Sequence, residues 1–136
     1  MKNIVIFGSS GHSKVIIDII EKLNDLKIIG IIDEDKSTGD NFFGYKVIGN
    51  DSELDLLIQK YHIDCGIIAI GDNSLRKKVS QNIISLSPRF KFKSIIHPKA
   101  NIGKNVKVGN GTVIMSGVTI NPDTIIGNHS IVNTNS

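Results

Sequence analysis

In the last third of the chain an aliphatic residue returns at every sixth position. These residues are Ile96, Ile102, Val108, Ile114, Ile120, Ile126 and Val132. A second set, four places later in each block, is small or β-branched: Ala100, Val106, Thr112, Val118, Thr124, Ser130 and Ser136. Helices repeat apolar residues every three or four positions and strands every second one, so a period of six matches neither. A fixed short repeat is typical of a parallel β-helix, with short strands as flat faces and tight corners between them.

This pattern assigns a role to each place in the block of six. Place one is predicted to point inward, and place five to supply a smaller inward group. Place two is often Gly or Asn, as at Gly103, Gly109, Asn121, Gly127 and Asn133. We expect these residues at corners, because Gly and Asn tolerate positive φ. Successive coils should then stack at strand spacing, about 4.8 Å.

Residues 1–95 follow a different pattern, in which continuous apolar runs alternate with amphipathic stretches. A buried strand over 3–7, a helix and a second strand over 27–32 form a predicted β-α-β unit. The helix should turn one stripe inward: Val15, Ile16, Ile19, Ile20 and Leu23. Ligands of such units bind at the carboxyl ends of the strands.

The pattern continues to the start of the repeats. After a polar loop over 35–44 it predicts a short edge strand at 45–48, a helix over 50–61 and a strand over 64–70. Asn50 and Glu53 have capping-box spacing at the start of that helix. A third helix should run from about 74 to 85 and a last strand from 90 to 95, and the helix should turn inward Leu75, Val79, Ile83 and Leu86.

Two domains are therefore expected, joined without a flexible linker. Residues 1–95 form a Rossmann-like domain and residues 96–136 a β-helix of hexapeptide repeats, and both are small enough that they should pack on each other. The repeats continue in register to Ser136 without a polar cap, which finished solenoids need. The sequence thus predicts an incomplete β-helix, from a truncated polypeptide or a shortened gene, with an open edge that favours association.

The amino-acid composition limits the classes of partner expected for this protein. Hydrophobic residues make up 40% of the 136, aromatics 5%, and Trp is absent, so the core should be aliphatic. The net charge of +3 is scattered along solvated faces, and RNA-binding aromatic motifs are missing, so no nucleic-acid partner is expected. The single cysteine, Cys65, lies in an apolar run and is predicted to be a buried hydrophobe. With four scattered histidines it predicts no metal site.

Targeting signals are not recognisable in the sequence. The first seven residues are too short for a signal peptide, and no apolar run approaches membrane-spanning length. We therefore expect a cytoplasmic protein with no membrane partner.

Three polar turns are predicted at one edge of the sheet. Gly8-Ser-Ser-Gly11 lies between a strand and a helix, where backbone amides and the helix dipole can hold a phosphate. The dinucleotide fingerprint G-x-G-x-x-G is not met because position 10 is Ser, so a plain strand-to-helix turn remains an alternative. Asp33 ends the second strand, where carboxylates take ribose hydroxyls, and the turn 71–73 ends the third. Together they predict a nucleotide pocket.

The motifs in combination resemble a known family. A Gly-x-x-Gly-His β-α-β domain, a Gly-Asp-Asn turn followed by Arg76, and Ile-Ile-His-Pro leading into hexapeptides are similar to the sialic-acid O-acetyltransferases and bacillosamine N-acetyltransferases. The resemblance covers essentially the whole chain. It implies a left-handed β-helix with three hexapeptides per coil, acetyl-CoA as donor, a nucleotide-linked amino sugar as acceptor, and a homotrimer. The left hand comes from the resemblance alone, since parallel crossovers are ordinarily right-handed.

The same resemblance assigns the substrate-binding residues. They are Gly8, Ser10, Gly11, His12, Asp33, Glu34, Asn73 and Asn133. The family's catalytic base is a His that follows an Asn-Thr pair, and the matching position lies past Ser136. No catalytic residue is therefore expected within these 136 residues, and the chain by itself should be inactive.

The histidines inside the chain have other expected roles. His129 should lie outward at a corner, and His97 should pack or cap at the domain junction. His62 should end a helix, where an imidazolium suits the dipole, and His12 should contact ligand or order its loop. Four apolar residues are expected at places that do not face the prism interior: Val106, Val113, Ile125 and Ile131. Some of them should be buried by neighbouring subunits of a trimer.

Other functions stay open at this point. The chain could be a nucleotide-sugar-binding module on a structural β-helix without turnover, a regulatory fragment related to nucleotidyltransferases, or a structural solenoid. The sequence does not give the sugar, the nucleotide, the choice between N- and O-transfer, or the oligomeric state of a shortened form.

Overall fold

The computed structural model describes residues 1–133, and its first part is built around a five-stranded sheet. The strands are β1 (Lys2–Phe7), β2 (Leu26–Ile32), β3 (Asn41–Phe42), β4 (Tyr45–Gly49) and β5 (Cys65–Ile68). The helices are α1 (Gly11–Leu23), α2 (Leu54–Tyr61), preceded by a 3₁₀ turn at Asp51–Glu53, and α3 (Asn73–Leu86). The strand order is β3-β4-β2-β1-β5, with β3 antiparallel and the rest parallel. The order reverses between β1 and β5, which is where open α/β sheets place their ligands.

Helices cover both faces of this sheet because β1 is apolar at every interior position. Ile4 and Ile6 point into the core formed with α1, whereas Val5 and Phe7 point into the core formed with α2 and α3. All four are at most 1% exposed. A parallel strand buried on both faces reads as a continuous apolar run, which is how the sequence predicted it.

Three predictions about the helices and strands are wrong. In α1, Val15 is 40% exposed and Ile17 is buried instead. In α3, Leu75 and Leu86 are exposed, and the inward face carries Arg76, Ser80 and Ile83, because this helix packs against polar backbone of the β-helix as well as against the sheet.

The edges of the sheet also differ from the prediction. The predicted loop over 35–44 contains β3, which makes β4 an inner strand. The predicted strand over 90–95 reduces to one parallel bridge between Phe92 and Gly66, followed by a strand at Ile95–Ile96. A Cβ at Gly66 would lie 2.7 Å from the rings of Phe7 and Phe90, so the glycine lets these aromatic rings pack against the strand.

The repeats form a parallel β-helix, as predicted. Its strands each contain two residues: β6 (Ile95–Ile96), β7 (Asn101–Ile102), β8 (Lys107–Val108), β9 (Val113–Ile114), β10 (Thr119–Ile120), β11 (Ile125–Ile126) and β12 (Ile131–Val132). Strands pair across 18 positions, as in Ile95 with Val113 and Val113 with Ile131, so three hexapeptides make one coil. Place one points inward: Ile114 is fully buried and Ile120 is 7% exposed, although Ile102, in the first coil, is 39% exposed.

The two parts share one core. Ile95 and Val113 belong to the same buried cluster as Ile16 and Ile20 of α1, so α1 covers β6 and β9. Strand β6 spans the boundary predicted between residues 95 and 96, and this division into domains stays a prediction. The chain passes from sheet to β-helix through packed residues rather than a linker.

The residues expected to face away from the prism have different surroundings. Val113 is 1% exposed because α1 covers it. Val106 packs into the prism interior, as predicted for place five and contrary to its inclusion among the residues that face away from the prism. Ile125 is 77% exposed and Ile131 is half-buried.

Place two and place four of the repeat have different backbone roles. The positive φ angles fall at place four, in Asn105, Gly111, Gly117, Asp123 and His129, and not at place two as predicted. At Gly103, in place two, glycine is needed for a different reason, since a Cβ would lie 2.5 Å from the backbone N of Pro122 in the next coil. Glycine there permits the coils to stack closely.

Candidate functional site

A cleft of about 300 Å³ lies at the carboxyl ends of the parallel strands. It is lined by Phe7, Gly8, Ser9, Ser10, Ile32, Asp33, Glu34, Asp35, Asp51, Ala69, Ile70, Leu75 and Val79. These residues come from the ends of β1, β2 and β5, from the segment that follows β4, and from the first two turns of α3. One wall is apolar and the opposite rim carries carboxylates, a combination suited to a base or sugar ring with hydroxyl groups.

The turn after β1 is held in place from within. Gly8 has φ +106° and its added Cβ would lie 3.2 Å from Ala69 O, so a side chain there is disfavoured twice. Ser13 is fully buried; its Oγ accepts from Ser10 N at 2.9 Å and donates to Gly8 O at 3.0 Å. Gly8 N donates to Ile32 O at 2.9 Å. Two backbone amides of this turn therefore donate to acceptors within the protein. They are not free to bind a phosphate, contrary to what the sequence predicts for the turn.

The acidic rim is organised by Asp33. Its Oδ2 accepts from Ser9 Oγ at 2.6 Å, and its Oδ1 accepts from Asp35 N at 2.8 Å. Beside it, Glu34 Oε1 accepts from Asp51 N at 2.9 Å. The Asp33 carboxylate is thereby fixed at the end of β2, where the sequence placed the contact to ribose.

Asp51 is a carboxyl group that the sequence analysis did not identify as part of the site. It is 7% exposed, and burial raises the pKa of this carboxyl to about 6, with further contributions from the negative charge of Glu34 and a side-chain hydrogen bond to it. Asn82 Nδ2 donates to its Oδ2 at 3.4 Å, a weaker contact. The Asp51 carboxyl is therefore protonated more readily than an isolated aspartic acid.

We expect Asp51→Asn to change how stability depends on pH. Because the folded pKa of Asp51 lies above its ordinary value of 3.8, the folded state holds the proton more tightly, and this contribution to stability is lost as pH rises from about 4 through about 6. Asn cannot ionise, so the variant should lose that decline and be more stable than the parent at pH 7.5. Urea unfolding between pH 4 and 8 measures this, with the exposed Asp55→Asn as control. Parallel pH profiles for parent and Asp51→Asn would contradict it.

Arg76 connects this cleft to the β-helix. Its side chain is 6% exposed, and Nη1 donates to Ile70 O at 3.0 Å and Gly71 O at 3.1 Å. Its Nη2 donates to Asn73 Oδ1 at 2.6 Å, and Nε donates to His129 O at 2.7 Å. The sequence analysis had noted Arg76 only as part of a motif, because its position on α3 alone does not reveal these partners.

The four histidines occupy distinct places. His12 lies half-buried in the first turn of α1, and its Nε2 is buried without a hydrogen-bond partner among the described residues. Burial and the charge of Arg76 lower the pKa of His12. His97 is 7% exposed and its Nδ1 accepts from Lys99 N at 2.9 Å, so it caps the junction as predicted. His62 ends α2 in a left-handed conformation.

His129 is not an outward corner residue. Its ring packs edge-on against Phe92 with 4.6 Å between centroids, and Nδ1 is buried against Gly111, where a Cβ would lie 2.5 Å away. Burial, followed by the charge of Arg76, lowers the pKa of His129. The turn of residues 109–112 and the segment 91–94 bury it from two sides, an arrangement that a single repeat cannot show.

The structure brings together part of the predicted substrate-binding set. Gly8, Ser10, Asp33 and Glu34 line the cleft. Gly11 and His12 begin α1 beside it. Asn73 faces Arg76 instead, and Asn133 follows β12 on the β-helix. The cleft is also lined by four residues that the sequence does not identify as part of the site: Ser9, Asp51, Leu75 and Val79. Ser9 lies within the glycine turn that predicted the site, and Asp51 follows the first residue of the capping box of α2.

The described residues, 1–133, contain neither a metal-binding cluster nor a membrane-spanning helix. No group of three or more His, Cys, Asp or Glu side chains in that range could hold a metal ion. Within the same residues, no helix has the length and apolar character needed to cross a bilayer. Residues 134–136, including the predicted place-five Ser136, lie outside the described part of the chain.

The chain matches known protein families over both of its parts. The chain matches the bacterial transferase hexapeptide family (six repeats) over residues 99–134. It also matches the PglD N-terminal domain over residues 3–83. The chain belongs to this PglD family of acyltransferases.

Relatives and solved structures agree with that assignment. The chain is 35% identical over 118 residues to the UDP-N-acetylbacillosamine N-acetyltransferase of Bacillus subtilis, covering 85% of this chain and 52% of the relative. It resembles a histidine mutant of perosamine N-acetyltransferase from Caulobacter crescentus, in complex with CoA and GDP-perosamine, with TM-score 0.87 and 33% identity over 98% of this chain and 61% of that one.

A third similarity is to the acetyltransferase domain of PglB from Neisseria gonorrhoeae in complex with acetyl coenzyme A. There the TM-score is 0.78 and the identity 26%, covering 98% of this chain and 62% of that one. The chain thus spans about half the length of the curated relative and somewhat over 60% of these structures.

Proposed function

We propose that this chain is the nucleotide-sugar-binding part of an acetyl-CoA-dependent sugar N- or O-acetyltransferase. The observation that carries the proposal is the cleft in which Asp33 is fixed at the end of β2, on a domain that shares its core with a hexapeptide β-helix. The similar enzymes named above, with CoA, acetyl-CoA and GDP-perosamine in their complexes, support this substrate and cofactor pair.

The reaction would be direct attack of a sugar amine or hydroxyl on the thioester of acetyl-CoA. A histidine takes the proton from the attacking group, and backbone amides stabilise the oxyanion that develops. In this proposal Asp33 and Glu34 accept hydrogen bonds from the nucleoside, and the start of α1 with Gly11 and His12 faces the phosphates. Asn133 stands on the substrate side of the β-helix. The base is the histidine expected past Ser136, and the 136 residues alone do not complete the transfer.

A binding module without turnover is the alternative. Thiol release from acetyl-CoA by a form extended by several coils separates the two hypotheses, because only an enzyme then produces free CoA in proportion to the sugar.

Nucleotide-sugar binding tests both hypotheses at their common point. Among UDP-, GDP- and CMP-sugars, we expect one nucleotide class to bind saturably, and Asp33→Ala to weaken it by about 1.5–3 kcal/mol, the cost of losing a charged hydrogen-bond partner. Calorimetry measures this, with Asp55→Ala on the exposed face of α2 as the matched control. Folding should survive, since Asp33 lies at the rim. Equal affinity in parent and Asp33→Ala would remove Asp33 from the site, and no binding by any sugar would end the proposal.

A homotrimer and a cytoplasmic location belong to the same proposal. Ile125 is 77% exposed on the flat face formed by β8 and β11, and an apolar side chain so placed suits a subunit contact. A cytoplasmic location follows from acetyl-CoA as donor. The trimer is expected for the complete protein: light scattering of a form extended by the remaining coils should, at micromolar concentration, give three times its chain mass, and a monomer would count against the trimer.

A further inference from the structure

The guanidinium of Arg76 lies between two parts of the molecule that have separate tasks in the proposed function. On one side it holds the turn that follows β5, through Ile70 O, Gly71 O and Asn73 Oδ1. On the other side it holds the corner of the β-helix, through His129 O at 2.7 Å. Ile70 lines the nucleotide cleft, so this one side chain joins a cleft wall to the acyl-transfer scaffold.

The chemistry of these bonds is specific to arginine. Four acceptors in different directions are met by the fixed fork of a guanidinium, whereas an ammonium group on a flexible stem cannot reach all of them. Its hydrogen-bond partners are all neutral oxygens. The carboxylate whose charge acts on it is that of Asp72. A buried charge without a carboxylate hydrogen bond is costly, and here carbonyl dipoles from both parts compensate it. Separating the two parts would leave that charge undersolvated.

The corner that Arg76 holds is connected to the neighbouring coils by side-chain hydrogen bonds. Thr112 Oγ1 donates to Gly127 O at 2.6 Å and accepts from Ser130 N at 3.1 Å, and Thr112 N donates to Ser94 Oγ at 3.0 Å. Ser94, Thr112 and Ser130 stand 18 positions apart, one per coil, and Thr112 is fully buried. A displacement of His129 O is therefore passed to the stacked coils rather than absorbed locally.

We propose that Arg76 is a positioning residue that couples occupancy of the nucleotide cleft to the β-helix corner at residues 127–131. A nucleotide that orders the turn at 70–73 orders the corner as well, through the four hydrogen bonds of one guanidinium. The coupling rests on the proposed function for the identity of the ligand, but the physical link between turn and corner does not.

Hydrogen exchange of the full 136-residue chain tests the link, with GDP and UDP as probes. The variants are Arg76→Lys, which keeps the charge, and Arg76→Met, which removes it. Arg89→Lys is the matched control, since Arg89 is exposed. Without ligand, Arg76→Lys should speed exchange in the segments 70–76 and 127–131 together by about tenfold, as lost hydrogen bonds to a charged group predict. Arg89→Lys should change neither.

The effect of ligand on hydrogen exchange distinguishes coupling from a purely structural role of Arg76. In the parent, the nucleoside diphosphate that binds should slow exchange in both segments, and in Arg76→Lys it should slow exchange at 70–76 while 127–131 stays unchanged. Protection confined to 70–76 in the parent would overturn the coupling. If neither probe protects any segment, the proposed nucleotide function fails for these probes, and the unliganded comparison still decides the link: unchanged exchange in Arg76→Lys overturns it. Should Arg76→Met fail to fold, Arg76→Lys carries the test.

Discussion

Gly109→Ala is expected to destabilise the fold by about 3 kcal/mol, at the upper end of the usual cost of overpacking. A Cβ at this position would lie 2.4 Å from Asn128 Oδ1 and 2.6 Å from the carbonyl carbon of Gly127, both in the next coil. The second atom belongs to the backbone, so relief requires the coils to move apart, and the strand pairing β8 with β11 opposes that. Urea unfolding measures the loss.

The repeat provides its own control for this prediction. Gly127 occupies the same place one coil later, and a Cβ there would find only Ser130 Oγ, at 3.8 Å. Gly127→Ala should therefore be nearly neutral in the 136-residue chain, whereas Gly103→Ala, with backbone at 2.5 Å, should behave like Gly109→Ala. If all three glycine variants unfold at the same urea concentration as the parent, close stacking is not what these glycines provide.

The second large effect is expected in turnover. The 136-residue polypeptide should transfer acetyl about 10²- to 10⁴-fold more slowly than a chimera in which residues 1–133 continue into the corresponding second half of the Bacillus subtilis relative. Loss of a general base alone accounts for that range, and the resemblance places this base past Ser136. Free thiol released from acetyl-CoA, with the best nucleotide-sugar as acceptor, gives both rates.

A third protein separates the missing base from missing acetyl-CoA contacts. It is the same chimera with the histidine after its Asn-Thr motif replaced by asparagine, and it should bind acetyl-CoA but turn over as slowly as the 136-residue chain. Comparable rates for the short chain and the intact chimera would contradict the prediction that the catalytic base lies past Ser136. Attention would then return to the histidines within the chain, first to His129 and His97.

Local regularity explains how much of the fold could be predicted. The period of six marks the inward places because every coil repeats the same surroundings, and Ile114 and Ile120 are buried as that period requires. The apolar run of β1 likewise identifies a strand buried on both faces. Turn residues at strand ends predicted the cleft, since Gly8, Asp33 and Glu34 follow the ends of parallel strands that meet at one edge. A sequence pattern of this kind predicts the average environment of a residue.

The rest depends on which distant segments meet, and only the tertiary structure decided that. Leu75 and Leu86 looked like the inward stripe of α3, yet Arg76 is the buried residue, because its partners at 70, 71, 73 and 129 surround it with carbonyl and amide oxygens. Hydropathy cannot anticipate a buried charge whose compensation comes from 53 residues away. Burial raises the pKa of Asp51, and the negative charge of Glu34, a residue from another segment of the chain, raises it further. Sequence alone thus determined the two architectures and the edge of the sheet at which the cleft lies, while the hydrogen bonds that join the two parts arise from the packing of one against the other.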